Sequence, residues 1–174
     1  MQNISKKIFI ILSVFFITLN IHAETPHFLD FKYVLNESSA GKKAQTELKN
    51  RLDKGIKNLR EKEKKLQEDE KKIISQKKIL KAEEYKKKVN ELRSSVSSLQ
   101  KERKNLIETT SKLRNKARNV LLKNLNPVIK EYMVEKKIRM VIDKKSLLLA
   151  DDNLDITKDI VSRLNKKLKS ISLN

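Results

Sequence analysis

The stretch that decides the fold is residues 45–80, QTELKNRLDKGIKNLREKEKKLQEDEKKIISQKKIL. Leu48, Leu52, Ile56, Leu59, Glu63, Leu66, Glu70, Ile73, Lys77 and Leu80 recur in it at steps of three and four. A repeat of about 3.5 residues belongs to a helix that winds on a partner helix rather than lying on a globular core. A second seam follows at Tyr85, Val89, Leu92, Val96, Leu99, Arg103, Leu106, Thr110, Leu113, Ala117 and Val120. From Leu80 to Tyr85 is a step of five, which neither three nor four supplies. Such a slip is either a stutter in one continuous helix or the tip of an antiparallel hairpin. The seams balance about residues 81–84, which favours a hairpin with its tip there and arms of roughly 40 residues, each about 60 Å long.

The seam is weak. Glu63, Glu70, Lys77, Arg103 and Thr110 interrupt it, although Lys77 and Arg103 can lay their aliphatic stems along it and lift the charge into water. Gly55 stands inside the first arm at a cost of about 1 kcal/mol relative to Ala. Two helices joined in this way hold together but can bend and splay.

Composition points the same way. Two Gly in 174 residues leave little for the phosphate turns and tight loops of most α/β enzymes, whose usual Gly share is about 7 %. With no Cys there is neither a disulfide framework nor a cysteine metal site. Charged residues make up 36 % of the chain, which disfavours a single globular core.

Residues 1–23 read as a secretory signal peptide. Lys6 and Lys7 precede the apolar run of residues 8–19, and Ala23 offers a small residue for cleavage. The run falls short of the ~20 apolar residues that an uncleaved spanning anchor needs. The mature chain is then 24–174, with 39 Lys/Arg against 22 Asp/Glu, a net charge of +17.

Residues 42–126, the proposed arm, hold 27 Lys/Arg and 12 Asp/Glu, which is +15 of that +17. Residues 24–41 carry −2 and residues 127–174 carry +4. Pairs four apart, Glu61–Lys65, Glu68–Lys72, Glu83–Lys87 and Glu84–Lys88, account for part of the pattern as helix support. They leave the surplus unexplained, and it points to an acidic or anionic partner.

The two ends of the chain read as one small body. Residues 138–143 and 147–150 have the character of strands, with a turn over 143–146. Residues 28–31 could add a third short strand. A helix follows from about Ile156, capped by Asp155 or Thr157, with Ile156, Ile160, Val161, Leu164 and Leu168 as its apolar stripe. About 60 residues with a marginal strand pair suggest an oligomer. The alternative is a monomer whose body packs on the root of its own arms.

Chemistry is sparse. His27 is the one histidine of the mature chain, and no glycine-rich phosphate loop marks ATP as a fuel. Asp151, Asp152 and Asp155 lack the glycine and terminal glutamate of a calcium loop and read as turn and cap residues. Serines have no base beside them. We expect no catalysis, no metal and no cofactor.

Residues 29–38, LDFKYVLNES, followed by Ala40-Gly41-Lys42-Lys43-Ala44-Gln45 and Leu48, resemble the start of the Skp/OmpH family of periplasmic chaperones. The end is similar too: residues 138–144, then 147–150, then Leu154-Asp155-Ile156-Thr157 leading into Ile160, Val161, Leu164 and Asn165. The order of signal peptide, strand, basic hairpin, strand pair and Asp-Ile-Thr helix spans the whole chain. The opening departs from the pattern, since His27-Phe28-Leu29-Asp30 is shorter and less β-branched than the family's first strand.

The resemblance implies a mostly α, α+β fold: a long antiparallel coiled-coil hairpin on a small β body that trimerises, a jellyfish-like homotrimer. It divides the chain into a signal peptide (1–23), the first strand and the start of the first helix (24–41), the basic arm (42–126, tip near 81–84), and a strand pair with the C-terminal helix (127–174). Phe28, Phe31, Ile138, Met140, Ile142, Leu147 and Leu149 are the residues assigned to the trimerisation body. The implied function is an ATP-independent periplasmic holdase that keeps unfolded outer-membrane β-barrel proteins from aggregating in a cavity between the arms. Lys71, Lys72, Lys78, Lys81, Lys86, Lys87 and Lys88 are the lysines expected to meet the client, with anionic lipid or lipopolysaccharide as a peripheral contact. Lys77 is left out because it falls on the seam.

Two other classes compete. A structural coiled-coil spacer of the envelope would have a continuous helix without a phase slip. A basic nucleic-acid-binding protein is opposed by the export signal, by 33 Lys against 8 Arg, and by the lack of aromatic residues for stacking on bases. No nucleic-acid partner is expected.

Overall fold

The computed structural model describes residues 25–173, so the expected signal peptide lies outside the described residues. Strand β1 (His27–Leu29) is followed by helix α1 (Phe31–Glu37), then by two long helices, α2 (Ser39–Ser75) and α3 (Ala82–Lys136). Strand β2 (Val141–Asp143), single 3-10 turns at Lys144–Ser146 and Asp152–Leu154, and helix α4 (Thr157–Lys167) complete the order.

Local chemistry explains the corner where the arm begins. The Asp30 carboxylate accepts the Tyr33 amide at 2.7 Å and starts α1. Ser38, fully buried, ends α1 and starts α2, its hydroxyl accepting the Gly41 amide at 3.2 Å. Asn165 of α4 accepts the neighbouring Ser39 amide at 2.7 Å, so a residue 126 positions away helps to cap α2. A Cβ at Gly41 would stand 2.0 Å from the Leu35 carbonyl oxygen, so no side chain fits where α1 folds back.

Helix α2 has 37 residues and runs for about 55 Å; the 55-residue α3 returns past it for about 80 Å. The phase slip is thus a hairpin turn. Its place differs from the expected 81–84: α2 ends at Ser75 and α3 starts at Ala82, while Glu83 and Glu84 lie in the first helical turn. Acidic side chains suit the positive end of a helix and favour that earlier start. Lys77 consequently sits exposed in the turn, not on the seam.

The helix does not end with the expected arm at residue 126. Helix α3 continues through Pro127 because Val128 and Tyr132 on its next turns are buried in the body. Pro127 itself is exposed, and the packing on either side offsets the hydrogen bond that its missing N–H forfeits. Lys137 ends the helix in the left-handed region (φ 57°), and the Ile138 amide reaches back to the Met133 carbonyl at 2.8 Å.

The strands also differ from expectation. Only Val141–Asp143 of the expected 138–143 pairs, and it pairs in parallel with β1, His27 opposite Val141 and Leu29 opposite Asp143. Phe31 belongs to a helix, and residues 147–150 form no strand. The other edge of β1 is already occupied, since Phe28 bridges Asp155 and accepts the Ile156 amide at 3.0 Å. With β1 closed on both sides, the edge of β2 facing away from it is unpaired among the described residues. A chain leaving β2 through a 3-10 turn does not fold back on that edge.

The body has its own core, built mostly from helices. Leu29 and Val34 pack with Ala44 and Leu48 from the root of α2, Leu121, Leu125 and Val128 from α3, and Ile160 and Leu164 from α4. Ile171 and Leu173 of the C-terminal tail close it, and Arg51 donates to the Leu173 carbonyl at 3.4 Å. The body therefore packs on the roots of its own arm. The α4 stripe lies as its spacing predicts: Ile156, Ile160 and Leu164 are buried, Val161 and Leu168 partly so. Its N-cap is Ile156, and the Asp155 carboxylate just before it accepts the Thr157 amide at 2.9 Å.

Helix α4 is also tied to α3 by polar contacts. Arg163 makes a two-point bond to Glu135 at 2.7 and 2.9 Å and lies 4.8 Å from the centre of the Tyr132 ring. The Tyr132 hydroxyl donates to Asp159 at 2.6 Å.

Candidate functional site

The seam positions one end of the molecule far from the core. Leu48, Leu59, Leu99 and Ala117 are buried between α2 and α3, while Leu52, Leu66, Ile73, Leu92, Leu106 and Leu113 are half-buried. Ile56, Glu70, Val96 and Arg103, which the repeat places on the seam, are exposed. Gly55, Asp69 and Glu102, each one residue before a seam position, are partly covered. Midway, Lys62 pairs with Glu102 across the hairpin, and Arg103 with Glu63 at 3.4 Å. Polar rungs of this kind hold the helices in register without making a dry interface.

The helix-support pairs differ from the expected ones. Glu61 meets Lys57 at 4.0 Å rather than Lys65, and Lys72 meets Asp69 at 3.9 Å rather than Glu68. These exposed pairs leave most arm lysines without a carboxylate to neutralise them.

At the tip the Ile79 and Leu80 amides both donate to the Gln76 carbonyl at 3.0 Å, which turns the chain tightly without Gly or Pro. Lys71 and Lys72 occupy the last turns of α2, Lys78 and Lys81 the turn, and Lys86, Lys87 and Lys88 the start of α3. All seven are exposed, and the hairpin brings them to the same end of the molecule. Lys77 belongs with them. Ile79, 82 % exposed, and Ile74, 60 % exposed, stand among these lysines. Sequence reasoning missed both: their 3.5-residue neighbours look like seam, and only the position of the turn shows that the seam has ended. The tip thus offers a field of ammonium groups around a few apolar side chains, suited to weak contacts with a soft, anionic partner.

The residues assigned to trimerisation separate into two groups. Phe28 and Ile138 are buried in this chain's own core, and Phe31, Ile142 and Leu147 are partly covered. Met140 is 58 % exposed and Leu149 93 %, and Leu148 beside it is fully exposed. These three lie in the segments flanking the unpaired edge of β2.

The remaining candidates have structural roles. Asp151 accepts the Asn153 amide at 2.9 Å, and Asp155 accepts the Thr157 amide at the start of α4 and pairs with Lys144 at 3.2 Å. Among the described residues there is no cluster of three His, Cys, Asp or Glu placed to hold a metal. The His27 amide donates to the Met140 carbonyl at 3.1 Å, and its buried Nδ1 has no partner. No helix among the described residues is long and apolar enough to cross a membrane.

A family model described as "Outer membrane protein (OmpH-like)" matches residues 27–164. Among solved structures, the chain is similar to an OmpH-like candidate outer membrane chaperone from Caulobacter crescentus CB15, with a TM-score of 0.79 and 18 % identity. The match covers 85 % of this chain and 89 % of that one. No curated protein matches the sequence significantly.

Proposed function

Because the chain belongs to the OmpH-like family, we propose that it is a chaperone of the cell envelope, an ATP-independent holdase for unfolded outer-membrane proteins. The observation that carries this reading is the hairpin itself. A packed body holds out a long, weakly seamed pair of helices whose far end gathers exposed lysines around Ile74 and Ile79. Long-range attraction draws in an acidic unfolded chain, and scattered apolar contacts then hold it without sequence preference. Screening over a Debye length of about 8 Å at physiological ionic strength keeps the capture reversible. The field would equally favour anionic lipid or lipopolysaccharide as a peripheral contact.

In this reading residues 1–23 direct export to the periplasm and are cleaved after Ala23. The active form is a homotrimer in which the free edge of β2, with Met140, Leu148 and Leu149, meets neighbouring copies, and three arms enclose the client. An unpaired strand edge beside exposed leucines is a ready site for such pairing. No catalysis and no cofactor is assigned.

The test is to reverse Lys86, Lys87 and Lys88 to Glu and follow aggregation of an unfolded β-barrel protein. Protection is expected to weaken at low salt and to converge with the parent at high salt. Unchanged protection at low salt would overturn the electrostatic half. Sedimentation mass tests the assembly: a trimer supports the cavity, and a monomer removes it.

A further inference from the structure

The C-terminal tail, residues 168–173, lies beyond the residues that the family model matches and belongs to no helix or strand. Leu168 ends α4 in an extended conformation, its amide donating to the Leu164 carbonyl at 2.7 Å. Burial then alternates. Lys169, Ser170 and Ser172 are exposed, whereas Ile171 is 5 % and Leu173 1 % exposed. Successive side chains of an extended segment point to opposite faces, so the tail lies flat with its apolar side down.

Its place is the root of the arm. Ile171 shares a cleft with Leu48 and Leu52 of α2 and with Ala117 and Leu121 of α3. Two positions on, the Leu173 carbonyl accepts from Arg51 of α2 at 3.4 Å, while another nitrogen of that guanidinium pairs with Glu47. The tail therefore runs from α4 of the body across both helices of the arm. Just outward of it, Leu52 and Leu113 are only half-buried, and the rungs beyond, Lys62–Glu102 and Glu63–Arg103, are polar. A seam of that kind holds two helices together but does not fix the angle at which they leave the body.

We propose that residues 168–173 are a releasable strap: docked, they brace the arm against the body, and released, they let it swing. From Arg51 to the end of α2 at Ser75 is a lever of about 36 Å, so a tilt of about 10° at the root moves the tip by about 6 Å. Release is local because the tail lacks the backbone ladder that holds each helix; Ile171, Leu173 and one long hydrogen bond anchor it. Segments with few such contacts open before the rest of a domain. The inference does not depend on the chaperone reading, since it concerns the arm and body of one chain.

The chain has no Cys, so spin labels at Ser94→Cys on α3 and Ser162→Cys on α4, both exposed, report the arm against the body. Dilution with unlabelled chain restricts the signal to distances within one chain. The parent is expected to give one narrow distance band. In I171S/L173S the band should broaden and shift by about 6 Å, with the helical circular dichroism unchanged. Arg51→Ala, at an exposed site, should move it the same way by less. Release is read separately from thiol labelling of Leu173→Cys against Leu164→Cys on α4, both fully buried positions. The tail thiol should react about tenfold faster or more, because local opening costs less than unfolding of the body. An unchanged distance band in I171S/L173S would overturn the brace. Loss of its helical signal would also overturn the proposal, by making the tail an integral part of the core. Equal labelling rates would do the same, since the tail would then open only with the whole body.

Discussion

Leu106 of α3 packs on the bare backbone of Gly55 in α2: a Cβ at Gly55 would lie 2.5 Å from Leu106 Cδ1 and 2.7 Å from Cδ2. A glycine inside a helix costs about 1 kcal/mol relative to alanine, and here the cost has a local counterpart in close contact across the seam. The neighbouring Ile56, which the repeat selects as the seam residue, is 36 % exposed rather than buried.

The Gly55–Leu106 contact predicts coupling. Gly55→Ala alone should change stability little, because the gain in helix propensity is offset by moving the Leu106 methyl groups. In a Leu106→Ala background the same substitution should stabilise by about 1 kcal/mol. Urea unfolding of the four proteins of this double-mutant cycle measures it; equal effects in both backgrounds would contradict the contact.

Lys137 holds a left-handed conformation at the end of α3, with φ of 57°. Glycine meets no steric penalty there, so Lys137→Gly should stabilise by about 0.5–1 kcal/mol and raise Tm by a few degrees. A thermal melt followed by helical circular dichroism gives the answer, with Lys136→Gly, inside the helix, expected to move the other way.

Tyr132 links α3 to α4 and sets an alkaline limit. Burial pushes its phenol up from 10.0 to about 12, and the bond it donates to Asp159 adds to the shift. The unfolded chain releases that proton first, so this contribution is complete below pH 10 and is lost as pH rises toward about 12. Tyr132→Phe should cost about 1 kcal/mol at neutral pH and flatten the decline of stability across that window. Denaturant titrations at a series of alkaline pH values would register both.

Asp155 sets part of the acid limit. Burial alone would raise its pKa, but bonds from the Thr157 hydroxyl and amide, together with Lys144, hold it below the usual 3.8. Its contribution is therefore present above that value and disappears as pH falls through the lower, folded one. Asp155→Asn keeps an acceptor for the Thr157 amide and removes the charge. Stability at neutral pH should fall by no more than about 1 kcal/mol, and the acid limb of the unfolding curve should become shallower.

Much of this molecule could be read from residue spacing. The 3.5-residue repeat announces two helices wound on each other, the slip after Leu80 announces a break between them, and the stripe from Ile156 to Leu168 announces α4. The gathering of charge in the arm needs only counting. These features are local: helix periodicity and charge depend on residues a few positions apart, and neighbours in sequence are neighbours in space.

The rest was decided by partners far along the chain. Whether Gly55 or Ile56 faces inward depends on which α3 side chain arrives opposite, and Leu106 is 51 positions away from Gly55. Pro127 reads as a boundary until Val128 and Tyr132 find their core. Residues 147–150 read as a strand, yet β1 is already paired on both edges, and the 3-10 turn over Lys144–Ser146 does not return the chain to the open edge of β2. A strand forms only where the chain is led back to an edge that can receive its hydrogen bonds, and that is a property of the assembled chain, not of the segment.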